Sequence, residues 1–145
     1  GALLPIFNTA SEVGYGGVIK GLAAFATVRA GIVALSIPSL FKVAISTTLL
    51  AGIVGSSSGG TAIALEVLSE DFLAMGINPE VLHRVMIVSA GGLDTLPHCG
   101  AIITLLAVTR LNHKQSYGDI AMMTMAAPLL AVLAMIILHL TLGIV

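Results

Sequence analysis

This sequence carries too little charge to be a water-soluble domain. Six basic and seven acidic residues are spread over 145 positions, 9% of the chain, where a soluble domain carries roughly 25%. A surface so poor in charge cannot stay wet, so the chain reads as a membrane protein without a soluble domain. The net charge of −1 leaves no basic surface for nucleic acid. Tryptophan is absent and aromatic residues make up 4%, so the aromatic belt at the membrane interface is thin. The single cysteine, Cys99, excludes an intrachain disulfide framework. The opening "GALLPIF" has neither an initiator Met nor the basic-then-apolar pattern of a signal peptide. It starts inside an apolar run, which implies that residues 1–145 are the C-terminal portion of one transmembrane domain in a longer protein.

What the chain has is apolar sequence: 57% hydrophobic residues and a mean hydropathy of +1.09. A helix needs about 20 apolar residues to cross a ~30 Å hydrocarbon core. Residues 120–145 meet that length without a charge, with Pro128 as an expected kink. The other apolar runs are shorter: 18–35, 40–54, 61–75, 81–90 and 101–111. "GINPE" (76–80) and "NHKQSYGD" (112–119) are charged or polar turn sequences and read as water-exposed loops. "GSSSGG" (55–60) and "GGLDTLPHCG" (91–100) differ, because apolar sequence flanks them closely on both sides. Joined across these gaps, 40–75 and 81–111 become long enough to span. The expected architecture is therefore an all-α membrane bundle with discontinuous helices and a re-entrant hairpin.

Unwinding a helix in lipid costs several kcal/mol for each unsatisfied backbone group, so it survives only against protein or a wet cavity. In return it exposes helix ends, positive at the N-terminus and negative at the C-terminus, which transporters use to hold substrate and coupling ion. A short echo, "IVGSSSGG" (53–60) against "IVSAGG" (87–92), fits a paired design. Lys42, Arg110 and Lys114 against the acidic "SEDFLAMGINPE" assign residues 112–119 to the cytoplasmic side.

Three polar groups are candidate sites, and each has a plainer reading. In "NTASEVGYGG" (8–17), Asn8, Thr9 and Ser11 offer hydrogen bonds to a carboxylate and Glu12 could carry a proton; the plainer reading is a surface loop with a helix cap. In "GSSSGG", Ser56, Ser57, Ser58, Gly59 and Gly60 before Thr61 offer backbone amides and hydroxyls to an anion, or else close helix packing. In "GGLDTLPHCG", Thr95 adds a hydroxyl, and Asp94 and His98 are ionisable groups in apolar surroundings, where such groups are functional by default. Alternatively, Asp94 caps a half-helix and His98 satisfies a freed carbonyl. Arg29 either snorkels or pairs with an acid, while His83, Arg84 and His139 read as interfacial or packed. No cofactor or metal site is expected.

At these motifs the chain resembles the gluconate permease (GntP-type) family of the wider ion-transporter superfamily. The resemblance rests on "NTASEVGYGG", "LAGIVGSSSGGTAIALEVL", "PEVLHRVMIVSAGGLDTLPHCGAIITLLAV" and "HKQSYGDI", in the family's order and spacing, over most of the chain. It implies a bacterial inner-membrane, multi-pass protein that takes up small hydroxy-carboxylates such as gluconate or D-3-hydroxybutyrate, generally by proton symport. It further implies Asn8, Thr9 and Ser11 at a hairpin tip, residues 56–60 at a broken-helix site, and a homodimer. Cys99 departs from the pattern, where an Asn-like residue is expected after the histidine. Two other functions fit the residues. An intramembrane serine hydrolase would use the "GSSSGG" serines with His98 and Asp94 as a triad. A channel or a structural membrane subunit would need no coupled site.

Overall fold

The computed structural model describes residues 3–143, apart from the side chain of Glu12. Every regular element among them is a helix: α1 (Leu3–Lys20), α2 (Ala23–Ala34), α3 (Ser39–Val54), α4 (Ser57–Ala74), α5 (Pro79–Ala90), α6 (Gly100–Thr109), α7 (His113–Ala121) and α8 (Ala127–Leu142). A π-helical turn, Met122–Ala126, joins α7 to α8.

Helix α3 is the centre of the molecule and is buried on most of its surface. Val43, Leu50 and Val54 pack there with Ile63, Leu68 and Phe72 of α4, with Val81, Leu82, Val85 and Met86 of α5, and with Val132 and Ile136 of α8. Most of its buried polar residues are hydrogen-bonded, Thr47 Oγ1 being the exception. Ser46 bonds back to Lys42 O, Thr48 donates to Ser89 O at 2.7 Å, and Lys42 donates to Val33 O at 2.9 Å. That last contact puts a cation beside the negative C-terminal end of α2. A second, smaller cluster joins Cys99, Ile102 and Leu106 of the α6 region to Tyr117 and Ile120.

The interruption at "GSSSGG" is shorter than the composition suggests. Only Gly55 and Ser56 lie outside helices, because Ser56 caps α4 by accepting from Gly59 N at 3.3 Å and so admits the rest to the helix. Gly55 ends α3 at φ +70°, the left-handed conformation that suits glycine. Helices α3 and α4 then fold back on each other over an extensive contact. They form a tight hairpin, so the expectation of one discontinuous span over 40–75 is corrected. Gly60 makes the hairpin possible: a Cβ there would lie 2.3 Å from Ala51 Cα. The second interruption is longer. Residues 91–99 form successive turns between α5 and α6, nested against α3 where Gly52 faces Leu93.

Three further expectations are corrected. Residues 8–17 are not a loop or a hairpin tip: α1 runs through them without a break. The bend comes later, at Gly21–Leu22, where α1 and α2 meet at 79°. Residues 112–119 are mostly helix, because Asn112 and Gln115 form a reciprocal capping box that starts α7. The irregularity expected from Pro128 takes the form of the π-turn just before it, where an extra residue accommodates the ring and its missing N–H.

The continuous helix His113–Leu142 is 30 residues long and apolar enough to cross a membrane, with 11% of its most apolar stretch buried within the chain. Among the described residues it is the one unbent helix that qualifies; α1 with α2 qualifies only as a bent pair. Many large apolar side chains of α1, α6 and α8 are exposed, as suits a protein surrounded by lipid.

Candidate functional site

The site is built where the two interruptions meet. Gly55, at the turn of the α3–α4 hairpin, lies against the ring of His98 and the backbone of Cys99; a Cβ on Gly55 would come within 3.0 Å of His98 Cδ2 and 3.4 Å of Cys99 Cα. Ser56 begins α4 and Cys99 begins α6, so two helix N-termini converge on one point. The α4 end is capped by Ser56, whose Oγ also lies 3.2 Å from Ser58 Oγ. The α6 end is not: Cys99 makes no side-chain cap bond. Its first amides therefore have no side-chain acceptor, and they carry the positive end of the helix dipole.

Helix α1 passes in front of this point. Asn8 Nδ2 donates to Gly100 O at 3.0 Å and to Thr104 Oγ1, and Thr104 also donates to Gly100 O at 2.9 Å. With both amide N–H groups so placed, Asn8 Oδ1 is left as an acceptor. Asn8, Ser11, Tyr15, Ile53, His98 and Gly100 line an open cleft of about 650 Å³. Its mouth combines apolar walls, a histidine and an uncapped helix start.

The structure brings together some of the expected residues and separates others. Asn8, Ser11 and His98 share the cleft. Thr9 faces a neighbouring groove with Pro5, Ala101 and Thr104. Ser57, Ser58 and Thr61 line a third hollow, with Ile87 and Ala90 of α5. Gly59 and Gly60 are occupied by packing against Val54 and Ala51, the close-packing role that was the plainer reading. Asp94 is half-buried beside Ser57, the first residue of α4. It sits near the α4 N-terminus, not in the cleft. Thr95 turns away toward the terminal helix, 2.6 Å from Thr124 Oγ1. The side chain of Glu12 lies outside the described residues.

Sequence reasoning missed Tyr15, Ile53 and Gly100. Tyr15 was given no role within the 8–17 motif and Ile53 none at the end of its apolar run, and only the crossing of α1 over α3 makes them cleft residues. Gly100 was readable as the residue after the last polar position of the break. Two ion pairs also came into view. Lys20 meets Glu66 at 2.5 Å and Arg29 meets Asp71 at 3.0 Å, tying α1 and α2 to α4. Arg29 thus has the acidic partner that was one of its two readings. Among the described residues no serine is hydrogen-bonded to His98, the contact by which a nucleophile would be activated.

A protein of Bacillus subtilis (strain 168) named "Uncharacterized transporter YxjC" is 50% identical over 140 residues, covering 92% of this chain. The chain spans 30% of that relative's length. No protein-family profile matches the chain, and no solved structure does.

Proposed function

We propose that the chain forms part of a secondary transporter of the gluconate permease type, carrying small hydroxy-carboxylates such as gluconate or D-3-hydroxybutyrate inward with protons. Its setting is a bacterial cytoplasmic membrane, which it crosses several times, as a homodimer. The similarity to a protein named a transporter supports a transport role, and the apolar composition supports the membrane.

One observation carries the substrate class: the uncapped N-terminus of α6 opens into a cleft beside His98 and Asn8. An anion resting there accepts hydrogen bonds from orphan amides and meets the positive end of the helix dipole. Asn8 Oδ1, an acceptor, suits the substrate's hydroxyl and not its carboxylate. Ser11 supplies a further hydroxyl. The serines at 56–58 and Thr61 hold the α4 end of the same junction. Glu12, Asp94 and His98 are the groups that take and release the coupled proton. Asp94 does so from beside the α4 N-terminus, where its charge state alters the field at the junction.

Counterflow in proteoliposomes tests this reading, using the full natural polypeptide that contains these residues and a panel of hydroxy acids. Saturable uptake with counterflow and an imposed-pH-gradient dependence is the expected result. Flux that is only downhill and shows no counterflow identifies a channel and removes the carrier mechanism. Labelling of one serine at 56–58 by a fluorophosphonate would favour a hydrolase instead.

A further inference from the structure

The terminal helix contacts the 91–99 break more closely than packing alone requires. His113 Nε2 lies 2.9 Å from Pro97 O, and Tyr117 OH donates to Thr95 O at 3.1 Å. Thr95 Oγ1 and Thr124 Oγ1 are 2.6 Å apart. Thr124 donates its own proton to Ile120 O at 2.8 Å, so the shared bond is donated by Thr95. Two of the break's free carbonyls and its one threonine hydroxyl are thus satisfied by a single neighbouring element. Gly91 and Gly92 complete the fit, lying against Pro128 and Leu129, where a Cβ on Gly92 would come 2.8 Å from Leu129 Cδ2.

Thr124 reaches Thr95 from inside the π-turn Met122–Ala126. A π-turn inserts one residue into an α-helix and re-aims the side chains on it, and such turns gather at functional sites. Here it lets one helix satisfy two demands. Tyr117 and Ile120 keep their places against Cys99, Ile102 and Leu106, while Val132 and Ile136 keep theirs in the main core.

We propose that Thr124 and Tyr117 are positioning residues: through Thr95 they hold the 91–99 break in the shape that sets Asp94 beside Ser57 and His98 at the cleft. The proposal rests on the transport reading for what the break does, but not for how it is held. Neither residue touches the cleft. Their loss loosens the turn without removing any group proposed to meet substrate.

Cys99 reports on this directly. It is 4% exposed, is the last residue of the break and packs in the cluster with Tyr117. In the full natural polypeptide, with other cysteines replaced, alkylation of Cys99 by N-ethylmaleimide is measured alongside uptake. Thr124→Val and Tyr117→Phe are expected to speed alkylation about fivefold and to lower the maximal uptake rate by a similar factor, the effect of losing one net hydrogen bond. Thr124→Ser, which keeps the hydroxyl, is expected to stay within about twofold of the parent on both. Parental alkylation in Thr124→Val would overturn the proposal, and so would faster alkylation with unaltered uptake. If the unsubstituted protein carries no hydroxy acid, the transport reading fails, and alkylation still decides whether these residues hold the break.

Discussion

Gly60 illustrates how one atom can decide a helix pair. A Cβ there would sit 2.3 Å from Ala51 Cα and 2.4 Å from Ala51 N. These are backbone atoms, which no rotamer change can move aside. Gly60→Ala is therefore expected to destabilise the α3–α4 hairpin by about 3 kcal/mol or more, seen as a lowered melting temperature in detergent. Gly55→Ala is expected to harm the site more specifically, since its φ of +70° disfavours alanine and the added methyl would press on His98. Asn8→Ala tests the division of labour in the cleft. It should raise KM for a hydroxy acid about five- to tenfold, and clearly less for the matching acid without the hydroxyl, since one substrate hydrogen bond is lost only in the first case. Asp94→Asn should reduce proton-coupled uptake while leaving the protein folded, because the amide keeps the size and an acceptor oxygen of the carboxylate but cannot take up a proton. Unchanged uptake and coupling would remove Asp94 from the mechanism.

At the scale of elements, caps and turns decided where the helices begin and end. The capping box at Asn112 converts a polar stretch into the start of α7, and Asn112→Ala should cost about 1 kcal/mol of stability, measured by thermal denaturation in detergent. The helical runs and the long break at 91–99 were legible because Gly, Pro and a pair of ionisable groups interrupt apolar sequence there. The continuity of α1 through residues 8–17 was not. Single polar residues and glycines lower helix propensity only modestly, and Asn8 spends its polarity on Gly100 and Thr104 across a helix contact, which local sequence does not reveal. The six-residue Gly/Ser run misled for a related reason: Ser56 caps and Gly60 packs, so most of it is helix. In the candidate site, Asn8, Ser11 and His98 were legible as polar residues in apolar sequence. Tyr15 and Ile53 were not, because only the crossing of two helices brings them to the cleft. Thr95 faces Thr124 because of the π-turn, whose position depends on the proline that follows it.

For the whole molecule, low charge and exposed apolar helices are consistent features once the surroundings are lipid. The cleft where two helices start and a third crosses is then the place to look for a solute. Its direct test is cysteine protection at Ile53, which lines the cleft and is assigned no role in binding. In the full natural polypeptide carrying Ile53→Cys and Cys99→Ser, alkylation of residue 53 is timed with and without hydroxy acids. Saturating gluconate or D-3-hydroxybutyrate should slow the reaction at least about tenfold, the occupancy effect expected when ligand well above its Kd fills the cleft. A rate that no hydroxy acid changes, equal to that of a cysteine placed at the exposed turn residue Asn78, would contradict an anion site at the meeting of α4 and α6.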